Sequence, residues 1–286
     1  MEVKDVNKRK RQLPGGWYPY DGEECRREID SYIEGWTPPG TVPERPRGGI
    51  VPHAGWYFSG RLAAKVFYSL KSKLPCDLVV LYGGHTRPDE VPGIVMEDAW
   101  ETPLGEIGID QDFVKVLTKK IEVKRENPLT GDNTMEIQLA MIKYFFPGAK
   151  LLALRPPLSA QAIELGKEIA QIAKGKGISI VGIGSTDLTH YGPNYGFLPK
   201  GVGSGSVEWV KNVNDRGFID RALRMDAEGL LAHAGQNDSA CSAGAAASTI
   251  ATCKALGSIK GELLDYYTSY DIMHDDSFVG YAGIVY

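Results

Sequence analysis

The sequence predicts an α/β protein built on a largely parallel or mixed β-sheet, and three observations carry that prediction. From Arg47 onward, short apolar runs alternate with amphipathic stretches, the pattern of strands and helices in turn. The run over residues 77–82 is apolar after its first residue, as a strand buried on both faces requires. Three of the apolar runs end in the same way, with a small residue and then a group that can bind or titrate. The chain has 286 residues, enough to bury a sizeable core, and no repeat or long linker divides it. Residues 1–286 are therefore expected to form one domain.

Residues 1–46 are punctuated by proline and glycine and read as an arm packed on the core, with a short amphipathic helix over residues 23–36. Residues 49–51 form a strand that ends at Pro52-His53, and a helix over residues 60–72 follows. The apolar strand over 77–82 ends at Gly83-Gly84-His85, and residues 93–96 are a further strand. Asp110 is placed to cap a helix, and residues 134–145 form a helix stopped by Pro147-Gly148. A strand over 150–154 leads to a helix capped by Ser159 and running to about Lys174. The next strand, 178–183, ends in Gly184-Ser185-Thr186-Asp187. Residues 191–206 are irregular and rich in Gly, Pro and Tyr, the composition of a lid or binding loop. A short helix starts at Asp226, an alanine-rich one covers 240–256, and strands over 262–268 and 278–285 close the chain.

Composition excludes several function classes. Thirty-two basic against 36 acidic residues leave a net charge of −4, with no long-range pull on nucleic acid or an anionic membrane. The basic cluster Lys8, Arg9, Lys10 and Arg11 is short and reads as solvated. No apolar run approaches the roughly 20 residues of a membrane span, and no secretory leader is visible. Cys25, Cys76, Cys241 and Cys253 are scattered without a C-x-x-C pair, which suits a reduced, cytoplasmic setting. The expected partner is a small molecule or peptide met in water.

In open α/β sheets, sites form beyond the carboxyl ends of the strands. If the three strands are parallel neighbours, His53, His85, Asp187 and His190 converge on one edge. Two imidazoles with a thiolate or carboxylate bind a first-row metal. Cys241 is the best placed thiol, because it stands at the start of the alanine-rich helix, where a helix N-terminus favours thiolate. A nucleophilic pair of Cys241 or Ser239 with His190 and Asp187 is the competing reading, although no G-x-S-x-G or papain-type segment supports it. Glu136 has two readings: a capping carboxylate with Asn133 as N-cap, or a pocket group that orients a histidine or accepts a proton. His233 and His274 read as surface residues, and residues 201–206 as a flexible loop rather than a phosphate cradle.

These segments resemble the Memo family, the B component of the AmmeMemoRadiSam set. The likeness is carried by Pro52-His53-Ala54-Gly55-Trp56-Tyr57-Phe58-Ser59-Gly60, Gly83-Gly84-His85, Asn133 to Leu139, Ser185 to Gly192, the segment around Cys241 and Ser277 to Gly283. Gly16-Trp17-Tyr18-Pro19 resembles the start of family members. The resemblance implies a three-layer α/β/α sandwich like that of class III extradiol dioxygenases. It implies His53, His85 and Cys241 as metal ligands, iron first, with copper or zinc as alternatives. By the resemblance Asp187 and His190 become acid–base or supporting groups; from the residues themselves, Glu136 is a further acid–base candidate, and Trp56, Tyr57, Tyr191 and Tyr195 are expected to supply an aromatic wall. The implied function is redox chemistry, oxygenase-like, on a small and possibly aromatic molecule. The alternatives are a non-catalytic metal, ligand or peptide binder, and a cysteine- or metal-assisted hydrolase. Radical-SAM and AMMECR-type proteins are the implied protein partners. The sequence departs from the pattern where family members carry further histidines, at Thr86, Asn133 and Gln138.

Overall fold

Apolar strands shielded on both faces place the core of this protein, as seen in a computed structural model that describes residues 7–71 and 76–286. The chain opens with β1 (Lys8–Arg9), α1 (Gly22–Ile33), β2 (Gly48–Val51), α2 (Trp56–Leu70) and β3 (Leu78–Tyr82). There follow β4 (Gly93–Ile94), β5 (Ala99–Thr102), β6 (Gly105–Gly108), α3 (Gln111–Leu117), β7 (Lys124–Arg125) and α4 (Asn133–Phe145). Next come β8 (Lys150–Arg155), α5 (Ala160–Lys176), β9 (Ile180–Ser185), β10 (His190–Tyr191) and α6 (Ser204–Trp209). The last elements are α7 (Asp215–Leu223), α8 (Ala227–Asn237), α9 (Ala243–Ala255), β11 (Glu262–Thr268) and β12 (Phe278–Val285).

The main sheet has the order β10-β12-β2-β9-β3-β8-β4-β7, with β11 also paired to β12. Its centre is parallel, β2 with β9, β9 with β3 and β3 with β8, while β12 and β4 join antiparallel. Side chains of successive strand residues point to opposite faces. At Gly48 a Cβ would meet Cys253 of α9, and at Gly49 it would meet Val66 of α2, so these helices cover opposite faces. Helices α1, α2 and α4 pack together on one side, and α3, α5, α8 and α9 on the other. The fold is a three-layer α/β/α sandwich around a mixed sheet, as the sequence led us to expect.

Several expectations need correction. Helix α2 begins at Trp56 rather than Gly60, because Trp17 O accepts the Trp56 N–H at 2.8 Å and caps the helix from the arm. Such a tertiary cap leaves no Ser, Thr or Asp signal in the local sequence. Asp132, not Asn133, caps α4. Ser159 stands at the N-cap of α5 but makes no cap hydrogen bond, and its hydroxyl is buried without a partner. The stretch 191–206 is not wholly irregular, since it contains the end of β10, a 3-10 turn over Pro193–Tyr195 and the start of α6. The β5–β6 hairpin and α7 had no clear periodic signal. His233 is half-buried and structural: Nε2 lies 2.9 Å from Asn214 O, and its ring fills the space that a Cβ on Gly217 would need. His274 is exposed.

The arm is held by charge burial. Arg9 belongs to the basic cluster read as solvated, yet it is only 2% exposed. Its guanidinium sits 4.5 Å over the Trp100 ring and donates to Thr130 O at 2.9 Å, with Glu97 Oε2 3.9 Å away. A planar cation that stacks and donates at once suits Arg rather than Lys. Glu136 does the rest. Its carboxylate accepts from Gln12 N at 2.8 Å, Leu13 N at 2.9 Å and Tyr18 Oη at 3.0 Å. Among the described residues no helix is long and apolar enough to cross a membrane.

Glu136→Ala should remove the acceptor of these three donors and cost about 3 kcal/mol. It should also speed tryptic cleavage at Lys10 and Arg11 several-fold. Unchanged cleavage would mean that the arm is held elsewhere.

Candidate metal centre

Because β9 lies between β2 and β3, the loops that follow the three strands adjoin at one sheet edge. The first loop carries His53, which is buried. Its backbone N–H donates to Asp187 Oδ1 at 2.6 Å and ties the end of β2 to the end of β9. Its ring is also fixed. Nδ1 lies 3.3 Å from Ser185 Oγ, and Gln138 Nε2 donates to the same hydroxyl at 3.0 Å. The tautomer with its proton on Nδ1, toward Ser185, is the one that leaves the lone pair of Nε2 for a ligand. That Nε2 is 3.1 Å from Cys241 Sγ.

His85 is positioned through the backbone before it. Gly84 has φ +93°, which favours glycine. Its N–H donates to Thr134 Oγ1 at 2.6 Å, and the Thr134 hydroxyl donates to Asp132. The His85 ring meets His53 edge-on, with centroids 5.4 Å apart. Burial lowers His53 to about 4, and desolvation, then the neighbouring His53, lowers the more exposed His85.

Cys241 arrives from the other side. Its N–H donates to Asp187 O at 3.2 Å, and Ser242 N donates to Thr186 Oγ1 at 3.1 Å. The residue lies before the N-cap of α9, not in its first turn. The expected helix-induced thiolate is therefore corrected: burial, and then the Asp187 charge, push the thiol up to about 12. Such a thiol is a poor nucleophile on its own.

One ring nitrogen from each of His53 and His85 and the Cys241 sulfur lie within 4.8 Å of one another. A tetrahedral ion with bonds of about 2.0 Å to nitrogen and 2.3 Å to sulfur needs an N···S separation near ~3.5 Å. The 3.1 Å between His53 and Cys241 is close to that value. A cation beside this half-buried sulfur would also supply the positive charge that lets it ionise. The residues present therefore fit a first-row metal, with at least one position open.

The cluster borders a pocket of about 340 Å³. His190 reaches it with Nε2 3.9 Å from Asp187 Oδ2 and without a hydrogen-bond partner. Burial lowers this imidazole and pushes Asp187 up to about 6. Of the four expected wall aromatics only Tyr195 lines the pocket, with its ring 4.9 Å from that of His190. Trp56 is buried with Nε1 toward Ile137 O, Tyr57 is 71% exposed outside, and Tyr191 is buried with its hydroxyl on Gly201 O. The wall instead comes from Trp17, Phe58 and Tyr281. Trp17 and Phe58 stood within the family-like segments, but only the folded arm shows that Trp17 faces the histidines. Glu136 does not line this pocket, since its carboxylate is committed to the arm.

Asp215 was not anticipated. It is buried and accepts from Thr189 N at 3.0 Å and Tyr266 Oη at 2.7 Å, which fixes the residue before His190.

The chain matches the family model described as "Memo-like protein" over residues 9–285. A MEMO1 family protein of Methanopyrus kandleri is 34% identical over 291 residues, covering 96% of this chain and 97% of its own. One from Nitrosopumilus maritimus is 32% identical over 288 residues, covering 96% and 98%. The structure is similar to that of an uncharacterized protein of Escherichia coli K12, at a TM-score of 0.51 and 14% identity, covering 84% of this chain and 99% of that one. This last likeness speaks to fold alone.

Ser185→Ala should weaken metal binding about 10- to 100-fold by releasing the His53 ring. Cys241→Ser should abolish the thiolate-to-metal absorption band in a cobalt titration, and an unaltered band would remove the cysteine from the ligand set. Asp215 supplies a separate test. Burial pushes its carboxyl up to about 7 against the Thr189 and Tyr266 hydrogen bonds. Its folded value exceeds the unfolded one, so stability falls as pH rises from about 4 to about 7, on the order of 1 kcal/mol per pH unit. Asp215→Asn should flatten that part of the urea-denaturation profile; an unchanged slope would show the carboxyl ionised throughout.

Proposed function

This chain belongs to the Memo family, and from that premise we propose that it is a metal-dependent redox enzyme. The proposed type is non-haem iron, oxygenase-like, with copper as the alternative metal, acting on a small aromatic molecule. The observation that carries the reading is the His53, His85 and Cys241 donor set, whose two histidines line a pocket that also presents an unpartnered imidazole nitrogen.

A bound iron or copper ion would supply electron transfer between substrate and dioxygen. The other work falls to the chain itself. His190 is neutral, and its Nε2 is free to accept a proton from a substrate hydroxyl. The Asp187 carboxylate, 3.9 Å from that nitrogen, stabilises the imidazolium that forms. Tyr195, Phe58 and Trp17 orient a flat ring and exclude water. A pocket of about 340 Å³ suits a substrate of one ring with short substituents. The hydrolase reading has less support, because burial opposes a free thiolate at Cys241.

The test is anaerobic loading with ferrous iron, followed by oxygen uptake with a panel of catechols. The wild type should consume oxygen with at least one of them. His190→Asn should keep the bound iron and lose about 100-fold or more in rate. Iron retained without oxygen uptake on any substrate would overturn the catalytic reading and leave a binding protein.

A further inference from the structure

The pocket is divided between two chemistries. Its lining holds His53, His85 and Asp187, and the exposed Asp275, from the loop before β12, and Tyr195 form a solvent-facing mouth. That loop places Asp275 on the pocket lining, with Oδ1 held by the Ser277 N–H at 2.8 Å. Ser277 Oγ in turn accepts from Asn194 N at 3.1 Å, which joins this loop to the turn carrying Tyr195. Partial burial, then the charges of Asp187 and Asp275, raise the Tyr195 phenol. The mouth thus combines a carboxylate with the face of an aromatic ring.

Among the described residues that line the pocket there is no lysine or arginine, while Asp187 and Asp275 are both carboxylates. The neighbouring cation, Arg155, is engaged by Glu126 at 3.1 Å and Asp132 at 3.6 Å. An anionic substituent in this pocket would lose its hydration and meet no counter-charge, which is costly. A cationic substituent would meet a carboxylate and a ring face, both of which attract it.

We infer that the pocket selects small aromatic molecules bearing an amine, and rejects their carboxylated counterparts, with Asp275 as the specificity-determining residue. The inference rests on the reading of this pocket as a small-molecule substrate site. The amine sits between the Asp275 carboxylate and the Tyr195 ring, and the hydroxylated edge of the molecule faces His190 and the metal ligands.

The experiment compares three ring-matched probes by calorimetry on the intact metal-loaded protein: dopamine, the neutral 4-methylcatechol, and 3,4-dihydroxyphenylacetate. The amine should bind about tenfold or more tighter than the carboxylate, with the neutral ring between them. Asp275→Asn should shrink that ratio several-fold while leaving the affinity of 4-methylcatechol unchanged. Raising the salt concentration should also compress the wild-type ratio, because the mouth is solvent-facing. Equal or tighter binding of the carboxylate, or a ratio untouched by Asp275→Asn, overturns the inference and leaves the redox reading standing. The stated preference without any oxygen uptake overturns the redox reading and leaves this inference standing. No binding of any probe overturns both.

Discussion

The site depends on how closely helix α9 lies on strands β2 and β9. At Gly184 an added Cβ would meet Thr249 Oγ1 at 2.6 Å and Ala245 O at 3.0 Å, and at Gly48 it would meet Cys253 Sγ at 2.7 Å. Side chains at these positions would lift the helix from the sheet, because close-packed interiors do not absorb an extra methyl without movement. The seating of α9 brings the segment before it to the carboxyl end of β9. There the Cys241 N–H reaches the Asp187 carbonyl and Ser242 reaches Thr186. A thiol 188 residues from His53 in sequence thereby comes to 3.1 Å from its ring.

Asp187 joins the parts. One carboxylate oxygen holds the His53 N–H, the other faces the nitrogens of His53 and His190, and its carbonyl holds Cys241. Burying a carboxylate is costly, as its raised pKa shows. Neighbours that favour the charged form offset part of that cost, and the carboxylate lies beside a thiol and three imidazoles. A cation held by the His53, His85 and Cys241 donors would offset that charge.

The N-terminal arm is part of the site rather than an accessory to it. Its Trp17 carbonyl caps the helix that follows His53, and its Trp17 side chain walls the pocket. Arg9 and Glu136 hold the arm down from either end. A role for Glu136 in the pocket was a reasonable expectation from its place in a family-like helix start. The donors that claim it instead lie 118 to 124 residues away in sequence, and no local pattern announces them.

Periodicity and strand-end chemistry by themselves determined the α/β class, most of the elements and the candidacy of His53, His85, Asp187 and His190. They could do so because burial on both faces writes itself as an apolar run, and a turn beyond it as small and polar residues. The family-like motifs added Cys241 and the layered architecture. Only the tertiary structure decided which strands are neighbours, that Trp17 and not Trp56 walls the pocket, that Arg9 is buried, and that Cys241 is a half-buried thiol ahead of the helix rather than a helix-activated one. Those outcomes depend on contacts between residues far apart in the chain, and on desolvation. Neither leaves a signature in the local order of residues, because both arise only when the folded layers close over them.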